Sequence, residues 1–327
     1  MVSLYAFASL AFITFFIALF KKQRKVLYWI ALFSLLLFSF ILRDSGFIGD
    51  FLVYKDALKS DIKEMLNSPY YLREIGYWGG STLFYQVLQD EVLTFLFIDF
   101  LFFAFFTCFC YKNKIPAYYV LLFFIIFPSI LGIQNVYRQH LATILIVISI
   151  FSQMKIPYKL LLMFFASLLH NVTILFLPFV FILRKKYLYA LVTSLGVLYI
   201  LFFLGGEKSN QETGEFPPIL YMVFIFGLFF SFLLLHKLKI RLSELNKIYF
   251  YLYAVILLSL SLITMGGGQS KRVGMMLFLI LLTDIIFLVE KKSKNIQTLR
   301  LLRSALVILG TLSTIILPAS YNMLIIV

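Results

Sequence analysis

Charge is what this chain has least of. Only 13% of its 327 residues are Asp, Glu, Lys or Arg, while 62% are hydrophobic and the mean hydropathy is +0.98. A soluble domain is about a quarter charged, so a water-soluble globular protein is excluded. The surplus apolar residues come in long runs, as in an all-α polytopic membrane protein. Acid is scarcer still: 15 Asp and Glu stand against 29 Lys and Arg, a net charge of +14. The cations form no stripe or patch. They sit in short loops between apolar runs, which argues against nucleic acid as a partner and matches the positive-inside pattern. Cysteine is almost absent. Cys108 and Cys110 are too few for a disulfide framework or a metal site and read as reduced structural thiols. HExxH, GxxxxGK[ST], GxSxG, CxxC and Asp-x-Asp are all missing, leaving zincin, P-loop, nucleophile-elbow and metal-nucleotide glycosyltransferase chemistry without sequence support. No internal repeat, low-complexity tract or soluble domain is visible.

What is present is a single polytopic membrane domain over 1–327. Apolar passes are expected near 2–20, 26–42, 92–111, 115–131, 137–153, 158–170, 171–183, 187–205, 218–236, 248–265, 272–290 and 303–321, about 11–12 transmembrane or half-transmembrane helices. The first run is apolar from its start and is followed, not preceded, by the basic cluster Lys21 to Lys25. It reads as a retained helix with its N-terminus outside. With that orientation, 20 of the 29 Lys and Arg fall in the inner loops 21–25, 112–114, 155–159, 184–186, 237–247 and 291–303. The segment 158–183 would be about 39 Å long as one helix. A hairpin turning near His170-Asn171 is preferred because it keeps both basic flanks inside. Two outer segments remain. The first, 43–91, carries eight acids and five bases around the aromatic stretch Tyr70 to Trp78. It is expected to form short amphipathic helices on the membrane, with 75–89 dipping into it. The second, 205–218, is a Gly-, Pro- and acid-rich loop.

Ionisable groups at membrane depth are costly and point to function. The apolar stretch from Gly132 to His170 carries Asn135, Arg138, Gln139 and His140, then His170. On a helix, Asn135, Arg138 and Gln139 share a face, and arginine offers a fork of donors suited to phosphate. His170 ends an apolar run and is a candidate general base, with Ser167 one turn earlier to orient it. The run Gly266-Gly267-Gly268-Gln269-Ser270-Lys271-Arg272 suggests close backbone approach, Ser270 as a helix cap, and two cations for a phosphate or pyrophosphate. Among the outer acids, Asp50 and Glu74 are candidates for a base or for sugar hydroxyls. Arg43, Arg73 and Tyr77 join the candidate binding residues, and Tyr70, Tyr71, Tyr77 and Trp78 offer stacking surfaces. Asp99 and Asp284 lie inside apolar passes, where they pair across helices or line a path. Each of these residues also has a plainer reading as a headgroup contact, a structural histidine or a solvated loop charge.

Taken together, the residues resemble a family. N-x-x-R-Q-x-L-A at Asn135 to Ala142 looks like the arginine helix of the EpsG/Wzy-type polysaccharide polymerases. Phe164 to Asn171, with a small residue before His170 and an apolar run to Pro178, resembles the family's histidine motif. Asp50, Tyr54 and Glu74-Ile75-Gly76-Tyr77 are similar to its acidic, aromatic first half, with the Glu-Pro-Gly-Tyr flavour lacking its proline. Arg272 ahead of a helix resembles its late arginine. The likeness runs over roughly 44–290. It implies a metal-independent membrane glycosyltransferase on the outer face of the bacterial inner membrane, joining oligosaccharide units carried on undecaprenyl pyrophosphate. No cofactor is required in principle, because the pyrophosphate already activates the donor. Arg138, Lys271 and Arg272 would stabilise the leaving group, and His170, then Glu74 or Asp50, would take the acceptor's proton. The implied partners are the lipid-linked donor and acceptor, membrane lipids and a chain-length regulator protein. A flippase for the same lipid-linked glycans, a membrane O-acyltransferase, a glycan ligase and a non-catalytic scaffold are the competing readings. A flippase would be expected to show a repeat and charges in both halves.

Overall fold

The computed structural model describes residues 2–47, 49–203, 217–236, 245–293 and 295–326. Every regular element among them is helical, as expected for an all-α polytopic membrane protein. Most of the outer loop expected at 205–218, and most of the inner loop expected at 237–247, lie outside the described residues. The chain divides into two compact units. The first comprises Met1–Ile144, Leu168–Asn171 and Ser293–Val327, and the second Leu145–Ser167 and Val172–Lys292.

In chain order, the first unit opens with α1 (Val2–Leu19) and α2 (Lys25–Asp44). Four short helices follow: α3 (Asp50–Ala57), α4 (Ile62–Asn67), α5 (Pro69–Leu72) and α6 (Ile75–Leu88). Next come α7 (Glu91–Lys112), α8 (Ala117–Ile125), α9 (Phe127–Gln134) and the start of α10 (Tyr137–Phe151). The second unit holds the rest of α10, most of α11 (Ile156–Leu169), a 3-10 helix at Asn171–Phe176, α12 (Leu177–Leu183), α13 (Tyr187–Phe203), α14 (Ile219–Leu235), α15 (Leu245–Thr264) and α16 (Gly266–Lys292). The chain returns to the first unit with α17 (Ile296–Ile316) and α18 (Pro318–Ile326).

Among the described residues, six helices are long and apolar enough to cross a membrane: α1, α2, α7, α15, α16 and α17. The pass expected at 115–131 is broken. α8 and α9 meet at a 67° bend because Pro128 sits in the first turn of α9, where its missing N–H is tolerated but cannot continue α8. The carbonyl of Ile125 that the break leaves unpaired is satisfied by the Thr314 hydroxyl of α17, donating at 2.7 Å. Five further apolar segments are shorter, among them α11 and the 171–183 stretch. These two form the hairpin expected from the sequence. Arg184, just past α12, donates to the carbonyls of Ser152 at 3.0 Å and Met154 at 3.2 Å, which lie just before α11. The chain therefore comes back to where α11 began. Buried Lys159 donates to the carbonyls of Ser149 at 2.6 Å and Ile150 at 2.8 Å, closing the C-terminal turn of α10.

The first outer segment does form short helices, but it folds into a core rather than lying alone on a membrane surface. Phe51 and Tyr54 of α3, Tyr77 and Trp78 of α6, Phe95 of α7 and Tyr137 of α10 are all buried together. Their rings pack edge-on or tilted, with Phe51 4.7 Å from Phe95 and 5.1 Å from Tyr137. Lys55 and Lys59 of α3 and its C-terminal flank reach Glu91 at 3.2 and 2.7 Å, tying the segment to the start of α7. The Gly266 to Arg272 run is also different from expectation. α16 begins at Gly266, so the glycines lie in its first turn. Ser270 is not its cap: the hydroxyl donates back to the carbonyls of Gly266 and Gly267 at 2.7 and 3.1 Å.

Candidate active site

Three residues far apart in sequence meet in the first unit. Glu74 is the N-cap residue of α6, Arg138 lies in the first turn of α10, and His170 occupies the break between α11 and the 3-10 helix. Glu74 is the centre. Its Oε2 pairs with an Nη of Arg138. Its Oε1 lies 2.5 Å from Nδ1 of His170 and accepts the backbone N–H of Asn171 at 3.3 Å. All three side chains are largely buried, with 7% of Glu74, 12% of Arg138 and 5% of His170 exposed. A carboxylate is thus held between a guanidinium and an imidazole in a site of low dielectric, where charge–charge interactions are strong.

Local sequence explains how the segments reach one another. Gly76, in the first turn of α6, faces Leu168. A Cβ there would sit 2.7 Å from the Leu168 Cβ and 3.1 Å from its carbonyl oxygen, so only glycine lets the His170 segment close on Glu74. Gly49 does the same for the outer loop. It takes the left-handed region at φ +56°, and a Cβ there would lie 2.9 Å from the Asn135 amide oxygen. That oxygen accepts the N–H of Asp50 at 3.0 Å, so Asn135 anchors the start of α3 through its amide oxygen.

Arg138 lies on an aromatic platform. Its guanidinium carbon is 4.5 Å from the Trp78 ring centre, 5.5 Å from Tyr54 and 5.9 Å from Tyr70. Its Nε is buried and makes no hydrogen bond among the described residues. A buried donor without a partner is rare in native proteins and commonly marks a place where a ligand or water completes the set. Of the aromatics expected to stack on sugars, Tyr77 and Trp78 are buried and serve the core and Arg138 instead, because α6 turns them inward. Tyr71 is half-buried, and Tyr70 is the one with an open face.

The other sequence candidates are distributed as follows. Asp50 is exposed at the start of α3, and Arg73 is exposed next to Glu74. Gln139 is buried in α10. His140 packs against Phe123 and Phe124 and under Gly132, on another side of α10 from Arg138. Ser167 does not orient His170, since its hydroxyl donates to Phe164 O at 2.7 Å; Glu74 takes that role. Arg43 is not open to a ligand. It is 3% exposed and forms an ion pair with fully buried Asp99 at 3.0 Å. Lys271 and Arg272 are half-buried on α16 and belong to the second unit. Asp284, also there, pairs with Lys247 and accepts from the Tyr251 hydroxyl at 3.3 Å.

The Glu74–Arg138–His170 cluster coincides with the motif positions by which the chain resembles the EpsG/Wzy type, and the family model settles the matter: it matches residues 28–324. The chain belongs to the EpsG family. No curated protein and no solved structure shows significant similarity to it. Membership makes this EpsG-family protein a multi-pass membrane protein of the polysaccharide-polymerase type.

The feature that sequence reasoning reached only in part is the position of Glu74. It was one of two outer acids with similar claims. The nearby Gly76 was the available signal, because a glycine within a helical pattern near an acid marks close approach of another backbone.

Proposed function

We propose that this protein joins oligosaccharide repeat units carried on undecaprenyl pyrophosphate, with its site facing outward from the bacterial inner membrane. The observation that carries the proposal is the buried Glu74 carboxylate bonded to both Arg138 and His170. With Nδ1–H directed at Glu74, the imidazole is held in the tautomer whose Nε2 accepts a proton. The carboxylate would also stabilise the imidazolium once formed, as in other carboxylate–imidazole pairs.

In the reaction, a hydroxyl of the acceptor unit attacks the anomeric carbon of the donor glycan. Its proton passes to His170 Nε2. The bond from the anomeric carbon to the pyrophosphate oxygen breaks, and the lipid pyrophosphate leaves with the electron pair. Arg138, with a buried N–H to spare and its charge steadied by Glu74 and Trp78, is suited to the oxygen on which charge develops. Tyr70 offers a face for a sugar ring. Arg73 and Asp50, exposed on the flanking outer segment, are available to the glycan.

The test is the surface-glycan ladder of the native host. Deleting the gene and returning it in wild-type, Arg138→Ala or His170→Ala form should give a ladder only with the wild type, and a single repeat unit with either variant at matched protein level. Loss of an acyl group from an intact ladder would point to an acyltransferase. Loss of all surface glycan, single unit included, would point to a flippase or ligase. Wild-type ladders from both variants would remove these residues from the site.

A further inference from the structure

At the end of α2 remote from Arg43, the first unit carries a groove of about 950 Å3 between the α1–α2 corner and α17. Its wall is apolar and open to the surroundings, with Phe16, Phe20, Val26 and Ile30 each between 43% and 62% exposed. Its rim is cationic, formed by Lys21, Lys22, Arg24 and Arg300. No acid is among the residues that line it. Residues 1–43 and 291–327, which supply the whole lining, contain no Asp or Glu at all.

The rim is built rather than loose. The Gln23 side chain donates to the carbonyls of Phe20 at 3.0 Å and Ile17 at 3.3 Å, while its amide oxygen accepts the Ala117 N–H at 2.9 Å. Arg303 of α17 donates to the same Phe20 carbonyl at 2.9 Å. The corner between α1 and α2 is therefore bonded to both α8 and α17, and its three cations are carried on a fixed backbone beside Arg300. The ordering cost that a mobile basic loop meets on binding is largely absent.

We infer that this groove is a binding site for an anionic diacyl phospholipid. The phosphate lies among Lys21, Lys22, Arg24 and Arg300, and the acyl chains run along Phe16, Phe20, Val26 and Ile30. Basic pockets between the ends of membrane helices suit anionic headgroups, and the four-cation rim without an acid discriminates against zwitterionic ones. α2 is 20 residues long, about 30 Å of helix, so this site and the Glu74–Arg138–His170 cluster lie toward opposite ends of the unit. The assignment does not depend on the polymerase reading.

Native mass spectrometry of the full-length protein in detergent, titrated separately with phosphatidylglycerol and phosphatidylcholine, tests it. One phosphatidylglycerol should be retained at least tenfold more tightly than phosphatidylcholine. Each cation removed near a phosphate weakens binding about fivefold, so Lys22→Gln with Arg300→Gln should cost roughly 25-fold. Lys22→Arg should retain the preference, and Lys112→Gln with Lys114→Gln, in another basic loop, should leave it unchanged. Equal binding of both lipids, or an equal loss in the Lys112 and Lys114 variant, overturns the proposal. Displacement of phosphatidylglycerol by millimolar inorganic phosphate would also overturn it, in favour of a free-anion site. Should the glutamine variant not fold, a diazirine-bearing phosphatidylglycerol on the wild-type protein decides: cross-links should map to 16–30, and cross-links confined to other segments reject the site.

Discussion

Glu74 makes a demand that neither partner alone would satisfy. A buried carboxylate is costly unless it is paired and hydrogen-bonded, and here its two oxygens are divided between a cation and an imidazole. If the three side chains act as one unit, their removal should not be additive. Glu74→Gln is nearly isosteric but presents an amide to Nδ1 and removes the counter-charge of Arg138. Polymer formation in membrane vesicles supplied with lipid-linked repeat units should fall about 10²–10⁴-fold, the usual range for losing general-base function. The double variant Glu74→Gln with His170→Ala should be no slower than the worse single one. If instead the two losses multiply, the carboxylate and the imidazole act independently and the coupled pair is refuted. Asp50, exposed and with its backbone N–H bonded to Asn135, has no such partner among the described residues, so Asp50→Asn should cost far less than Glu74→Gln.

Helices deliver these residues, and two contacts between elements set how well. The first is a buried network at the end of α2. Arg43 donates to Asp99 of α7 through Nε at 3.2 Å and Nη2 at 3.0 Å, and to the Ile133 carbonyl of α9 at 3.0 Å. Ser39 donates to Asp99 at 2.5 Å, and the hydroxyl of Tyr137, next to Arg138 in α10, donates to it at 2.7 Å. Four helices are thereby locked beneath the site, and the Arg43 charge also lies 4.1 Å from the Phe51 ring centre. Asp99→Ala would strand the Arg43 charge in the core and should cost about 3–5 kcal/mol, seen as a lower thermal midpoint in detergent. Arg43→Met with Asp99→Leu, which removes both charges, should recover most of it; a double variant as unstable as the single would show that the charges matter separately. The second contact is Gly76 against Leu168. Gly76→Ala must push the His170 segment outward, and displacements near 1 Å commonly cost about 10²-fold in rate. Reduced vesicle activity with an unchanged thermal midpoint is expected, and wild-type activity would mean that the segment yields without moving His170. Neither contact could be read from the sequence with confidence in its partner. Arg43 was visible only as an outer cation and Asp99 only as an acid in an apolar pass. Which of them meets which is decided by long-range packing, to which a pattern of local periodicity is blind.

At the level of the whole chain, apolar length and basic flanks were enough to anticipate α1, α2, α7, α10, α13, α14 and α15 closely, because membrane helices are dictated by composition over some 20 residues. They were not enough for the bend at Pro128, where two short helices share one apolar run. Nor did they show that α16 would begin at Gly266, since glycine reads as a turn unless packing compensates for its helix cost. On the sidedness expected from the basic loops, the two ends of the first unit would face opposite sides of the membrane. Arg73 is exposed beside Glu74, and Lys22 is exposed at the other end of α2. In a background with Cys108 and Cys110 replaced by serine, Arg73→Cys should react with a membrane-impermeant maleimide in intact spheroplasts. Lys22→Cys should react only after permeabilisation, as the inner clustering of Lys and Arg requires. Reversed labelling would place the Glu74–Arg138–His170 cluster on the cytoplasmic side and exclude polymerisation on the outer face. Labelling of both positions in intact spheroplasts would mean that the α1–α2 corner is not inside and that the positive-inside assignment fails for the first two helices.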